Sequence, residues 1–154
     1  MQGLVINFFG ALPARAHCKK IKTAVLRLQD LLKIPTQGNI NLKFVDDAAM
    51  TVLNKQYNGR GASTDVLSFS YIENSPAGAT EELGDVIISV ETARRQAKEY
   101  GIDLTSELAL LAVHGALHVL GYDHNDTAGR ESMSRLQSEA VKAAGLKYRE
   151  FEWK

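Results

Sequence analysis

The chain opens with a β-rich apolar run, Leu4 to Phe9, held between Gly3 and Gly10, which predicts a first strand. After Pro13 the period changes. Ile21, Val25, Leu28 and Leu32 recur every three or four residues, the pattern of a helix with one apolar face, and Pro35 and Gly38 end it. Ile40, Leu42 and Phe44 alternate with Asn41 and Lys43, which reads as a half-buried strand. Asp46 is placed to cap a short helix reaching about Gln56, with Met50 and Leu53 turned inward. Asn and Gly crowd the loop from Tyr57 to Ser63, and two further strands are predicted at Asp65–Tyr71 and Leu83–Val90. A polar loop, Ile72 to Glu82, separates them, and a polar helix follows from Glu91 to Tyr100, stopped by Gly101.

The segment from Thr105 to Leu120 differs from all of these. It is apolar on nearly every face, so it belongs in the centre of the fold. A last amphipathic helix, Thr127 to Ala144, sets Met133, Leu136 and Val141 on one side. The order βαβαββααα, with helices accumulating at the end, predicts an α+β fold. It is read as one domain over residues 1–154, with a mixed four-stranded sheet packed against a buried central helix.

Composition narrows the function. The 154 residues are 45% hydrophobic and 23% charged, the mix of a globular domain with a real core. Eighteen basic and eighteen acidic residues cancel, so no global field draws nucleic acid or an anionic membrane. Cys18 is the only cysteine, which excludes an internal disulfide and fits a reducing compartment. The longest apolar run, Leu108 to Val113, is too short for a bilayer, and the order of charges at the start is not that of a secretory signal. The expected address is the cytoplasm, without a membrane partner.

The informative chemistry is His114-Gly-Ala-Leu-His118-Val-Leu-Gly121-Tyr-Asp-His124. Histidines four apart on a helix project from one face with Cβ atoms about 5–6 Å apart, close enough for two imidazoles to bind one ion. His124 would point away on a continuing helix, but Gly121 can take the left-handed conformation that ends it and lets the chain fold back. Three buried imidazoles packed together without a metal would be expensive to desolvate. His114, His118 and His124 are therefore read as metal ligands. The spacing is shared with metzincin peptidases, which carry a general-base Glu directly after the first His. Gly115 stands there instead, so the site reads as hydrolytic but not proteolytic.

That segment, joined to Thr64-Asp65-Val66-Leu67-Ser68-Phe69, to Leu83-Gly84-Asp85-Val86-Ile87 and to Met133 and Gln137, resembles the bacterial rRNA maturation factors of the YbeY type over essentially the whole chain. Those are metal-dependent endoribonucleases. The resemblance implies a zinc-type ion on His114, His118 and His124, with nickel or another divalent metal also suited to imidazole. It implies cleavage of single-stranded rRNA in 16S rRNA 3′-end maturation and ribosome quality control in the cytoplasm. The implied partners are that RNA and the small ribosomal subunit, with no DNA.

The chain departs from the family at Asn58, where an Arg usually follows the aromatic residue, here Tyr57. Ser63 and Ser70 also stand where prolines are usual. The nearest cation is Arg60, between Gly59 and Gly61; a guanidinium can fork two phosphate oxygens, so Arg60 is the candidate catalytic cation, and an ordinary surface arginine is the other reading. Asp65 and Asp85 are candidates to orient a histidine or a water, or to cap strand ends. Arg15, Lys19, Lys20 and Lys22 precede any acidic residue in the first helix and form a candidate phosphate-tracking surface, or a solvated face. A second functional class is a non-catalytic, zinc-stabilised ribosome-assembly factor. Its closed metal site would need a fourth ligand, for which only His17 and Cys18 are spare.

Overall fold

Strand alternation and one all-apolar helix determine the architecture. The computed structural model describes residues 3–11, 14–32, 37–59, 61, 63–72 and 82–153. Four strands, β1 (Leu4–Gly10), β2 (Gly38–Val45), β3 (Val66–Ser70) and β4 (Glu82–Ser89), form one sheet in the order β1-β2-β4-β3. β1, β2 and β4 run parallel, and β3 closes the edge antiparallel to β4. On β2, Ile40, Leu42 and Phe44 are buried, as their alternation predicts. β4 lies between β2 and β3 and is buried on both faces from Leu83 to Ser89.

The helices are α1 (Arg15–Leu31), α2 (Asp47–Asn58), α3 (Val90–Tyr100), α4 (Leu104–Val119) and α5 (Thr127–Ala143). Helix α4 is the central one, buried without interruption from Thr105 to Leu117. Two glycines let it approach the sheet. A Cβ on Gly115 would lie 2.4 Å from Val86 Cγ1, and one on Gly84 would meet Val119 Cγ1 at 2.8 Å. Gly84, Val86 and Ile88 thus face α4, while Asp85 faces the other side of the sheet. Among the described residues no single helix is long and apolar enough to cross a membrane.

The mixed α+β sheet, its buried helix and the element order are as the sequence predicts, and the differences are local: β3 is shorter by Asp65 and Tyr71, and Val90 opens α3 instead of ending β4. Helix α2 runs to Asn58, where Gly59 closes it at φ +70°, and Asn54 rather than Leu53 joins Met50 in the interior. A four-residue step from Met50 keeps the same face, whereas Leu53 falls at its edge and is half-buried. Gly38 begins β2, paired with Leu4, instead of ending a helix.

Candidate metal centre

Local chain geometry brings the three histidines together. At the end of α4 the Tyr122 N–H bonds the Leu117 carbonyl at 3.0 Å and the Gly121 N–H bonds the His118 carbonyl at 3.1 Å. This pair of bonds is the Schellman ending, which needs a residue at positive φ, and Gly121 supplies it at +100°. The chain then reverses into α5, whose first turn is capped by Asp126 accepting the Gly129 N–H at 2.7 Å. Between the two helices Arg130 Nε holds the His124 carbonyl at 3.1 Å, which fixes the backbone that presents the third imidazole.

One nitrogen from each of His114, His118 and His124 lies within 4.8 Å of the others, close enough to hold one metal ion. The His114 and His118 rings sit edge to face at 4.7 Å, and His124 is 5.1 Å from His118. His114 is buried; the other two are half-buried. Its Nδ1 lies 2.8 Å from Gln137 Oε1, on a side chain of α5 that is wholly buried. An amide oxygen only accepts, so Nδ1 donates and Nε2 keeps its lone pair for a metal. Burial pushes the His114 imidazole down to about 3 against the pull of Gln137, with His118 and His124 adding to the fall. Burial first, then His124, also lowers His118. Held neutral in this way, His114 and His118 are ready to ligate, and three converging imidazoles suit a zinc-class ion. No fourth Cys, His, Asp or Glu joins the group among the described residues.

Gly115 shows why a peptidase base is missing. That position packs against Val86 of the sheet, where no carboxylate could stand.

The other sequence candidates lie elsewhere. Asp85 accepts from Tyr71 Oη at 2.5 Å, Asn41 Nδ2 at 3.0 Å and Lys43 Nζ at 3.1 Å, on the sheet face turned away from α4. Burial works to raise its carboxyl, yet those three partners together hold it below the usual range, and Asp85 in turn pushes Tyr71 up to about 12. Asp65 accepts the Val66 N–H at 2.8 Å and caps the start of β3. Gln137 is the residue bonded to His114 Nδ1; strand alternation turns Asp85 away from the triad, and Asp65 gives one oxygen to the Val66 N–H. Asn58 bonds Asn54 at 2.8 Å within α2, and Arg60 lies outside the described residues.

Arg15 opens α1, and Lys19, Lys20 and Lys22 are exposed on it. His17 bonds Thr105, which sets this basic stretch beside the first turn of α4. At 1.5 Å per residue, Thr105 to His118 is about 20 Å along the axis, so neither His17 nor its neighbour Cys18 approaches the triad.

Sequence reading gave no role to the segment after α5, yet it reaches the site. Phe151 stacks on His114 with ring centres 4.1 Å apart, and Trp153 lies 4.9 Å from His124. A lone Glu107 inside an apolar helix was the available signal, since a buried carboxylate needs a cation, and that cation, Arg149, comes from this segment.

Comparison with known proteins gives a consistent picture. The family profile described as Endoribonuclease YbeY matches residues 11–145. A relative named Endoribonuclease YbeY from Moorella thermoacetica is 48% identical over 118 residues, 72% of this chain and 76% of its own length. Its namesake from Pelotomaculum thermopropionicum is 50% identical over 119 residues, 73% of this chain and 78% of its own. The solution structure of TM1509 from Thermotoga maritima shares the fold, with a TM-score of 0.63 over 91% of this chain and 89% of that one, at 24% identity.

Proposed function

Since this chain belongs to the endoribonuclease YbeY family, we propose that it is a metal-dependent endoribonuclease of single-stranded RNA. Its proposed setting is the cytoplasm, at the 3′ end of 16S rRNA during maturation and in ribosome quality control, with the small ribosomal subunit as partner. The observation that carries the reading is the convergence of His114, His118 and His124 with no fourth ligand among the described residues. A structural zinc site is normally closed by four protein ligands, whereas a catalytic one keeps a position open.

Zinc is the proposed metal, with nickel or another divalent ion as the competitor that imidazole also accepts. Such an ion, when bound, supplies the Lewis acidity that activates water for attack on phosphorus. The chain does the rest. Gln137 holds the His114 ring in one tautomer, and burial keeps His114 unprotonated near neutral pH. To Arg60 we assign the contact with the phosphoryl oxygens, whose charge grows in the transition state.

The test is metal analysis of protein purified without chelator, beside cleavage of a single-stranded fragment from the 3′ end of 16S rRNA. Stoichiometric transition metal and cleavage are expected, both lost in His114→Ala, while Arg60→Ala keeps its metal and loses about 10²–10³ in kcat. Wild type that carries metal and binds ribosomal particles but cleaves nothing would overturn the enzymatic reading in favour of an assembly factor.

A further inference from the structure

The segment after α5 has no regular secondary structure, yet it is firmly anchored. Leu146 is buried, and the Lys147 N–H bonds Ser106 Oγ at 3.0 Å. Arg149 forks Glu107 through Nε at 2.8 Å and Nη2 at 2.7 Å, and its guanidinium lies 3.9 Å over the Tyr100 ring. These contacts lead the chain back along α4 to the histidines. From Leu146 onward it lies beyond the residues 11–145 that the family profile matches.

Two rings arrive at the triad, and their roles differ. Phe151 lies nearly parallel to His114, at 13°, so one of its faces is occupied. Trp153 meets Phe151 at 51° and His124 at 42°, both with centres 4.9 Å apart. The indole is half-buried and leaves part of its surface to solvent beside the candidate ligands.

We infer that Trp153 is a stacking platform for an unpaired nucleobase of RNA held at the histidine triad. The inference rests on the endoribonuclease reading above. A phosphodiester drawn to the triad brings its attached bases within reach of the indole. Every base has a π-face, so stacking binds without reading sequence. A duplex keeps its bases stacked on one another and offers none, so the platform selects single strands. The chain has zero net charge and needs some such contact beyond Coulomb attraction. The Glu107–Arg149 fork and the Phe151–His114 stack hold the indole in place beforehand, which lowers the ordering cost of binding.

Trp153 is the only tryptophan, so intrinsic indole fluorescence reports on it alone. Metal-loaded wild type would be titrated with a short single-stranded RNA, a duplex of the same sequence and an abasic oligonucleotide of equal length. The expected result is saturable quenching by the single strand and little by the other two. W153A should bind the single strand about 5- to 150-fold more weakly by anisotropy of labelled RNA, with metal content unchanged, and W153F should keep most of the affinity. RNA binding by wild type without a fluorescence change, or W153A binding as tightly as wild type, overturns the platform alone. Faster cleavage by W153A also overturns it and makes the segment a cover. If wild type binds no RNA in any form, the endoribonuclease reading falls as well.

Discussion

Helix α4 buries polar groups at both ends and treats them in opposite ways. Near its start, Glu107 is fully buried and bonded by Arg149 at both oxygens and by Gln96 at 2.7 Å. Toward its end, His114 has one such partner, Gln137, and its other nitrogen turns toward His118 and His124. A buried charge filled by protein donors is a joint, because its cost of desolvation is met inside the fold. A cluster whose lone pairs converge on one another has been left for something from outside. The difference separates structure from function within a single helix.

The largest expected effect breaks the joint. Arg149→Ala leaves the Glu107 carboxylate buried with only Gln96, which should cost about 3–5 kcal/mol. For a chain of this size that lowers Tm by roughly 6–20 °C. Thermal melts in chelator should already show this loss, since an unpaired buried carboxylate destabilises the fold whether or not an ion is bound. Replacing Glu107 by Leu and Arg149 by Met together should recover much of it, because no charge is then left unpaired. A single-mutant melt matching wild type would show that the pair is not a joint.

The two ends were not equally legible in the sequence. The histidine end is written locally: a four-residue spacing and a glycine three residues past His118 are enough to bring the imidazoles together. The central helix was equally plain, because sixteen residues with a single acidic side chain can only be interior. The partners are another matter. Gln137 lies 23 residues from His114, and Arg149 lies 42 from Glu107. Local periodicity carries no information over those separations. Glu107 signals that some cation must come, but any of eighteen basic residues satisfies that signal. Asp85 misled for a related reason: a carboxylate after a glycine looks like a site until the faces of Gly84 and Val86 show that it points away.

The next effect should appear only when metal is present. His118→Ala removes a ligand and most bound metal, and with it the stabilisation that the ion contributes, about 2.7 kcal/mol at free metal one hundred times the Kd. In chelator the variant and wild type should melt together. If the variant is destabilised equally in both conditions, the histidines are a joint like Glu107 and the contrast collapses.

Gln137→Leu is a subtler probe of the same end. It keeps all three ligands but frees the His114 ring to rotate and to change tautomer. Loss of such a supporting bond typically weakens metal binding 10- to 100-fold. Competition with a chromogenic chelator would measure it. Full metal content at saturating zinc, with a faster off-rate, is the expected pattern, and an unchanged affinity would leave the ring held by Phe151 stacking instead.

The smallest effect asks whether the Glu107 end is structural on its outside as well as its inside. The His17–Thr105 contact places the start of α1 beside that end of α4, and Thr105 itself lies about 20 Å along the axis from His118. Lys19, Lys20 and Lys22, exposed on α1, are candidates to hold phosphates further along the same strand. Replacing all three with Gln should leave kcat at saturating RNA unchanged. Binding should weaken modestly, and each lost phosphate contact should flatten the plot of log K against log salt by about 0.7, the value for single strands. A slope reduced by up to roughly 2 would mean that RNA runs the length of α4, from the triad to the basic start of α1. An unchanged slope would confine RNA to the histidine end, because a lysine that neutralises no phosphate releases no counterion when the RNA binds.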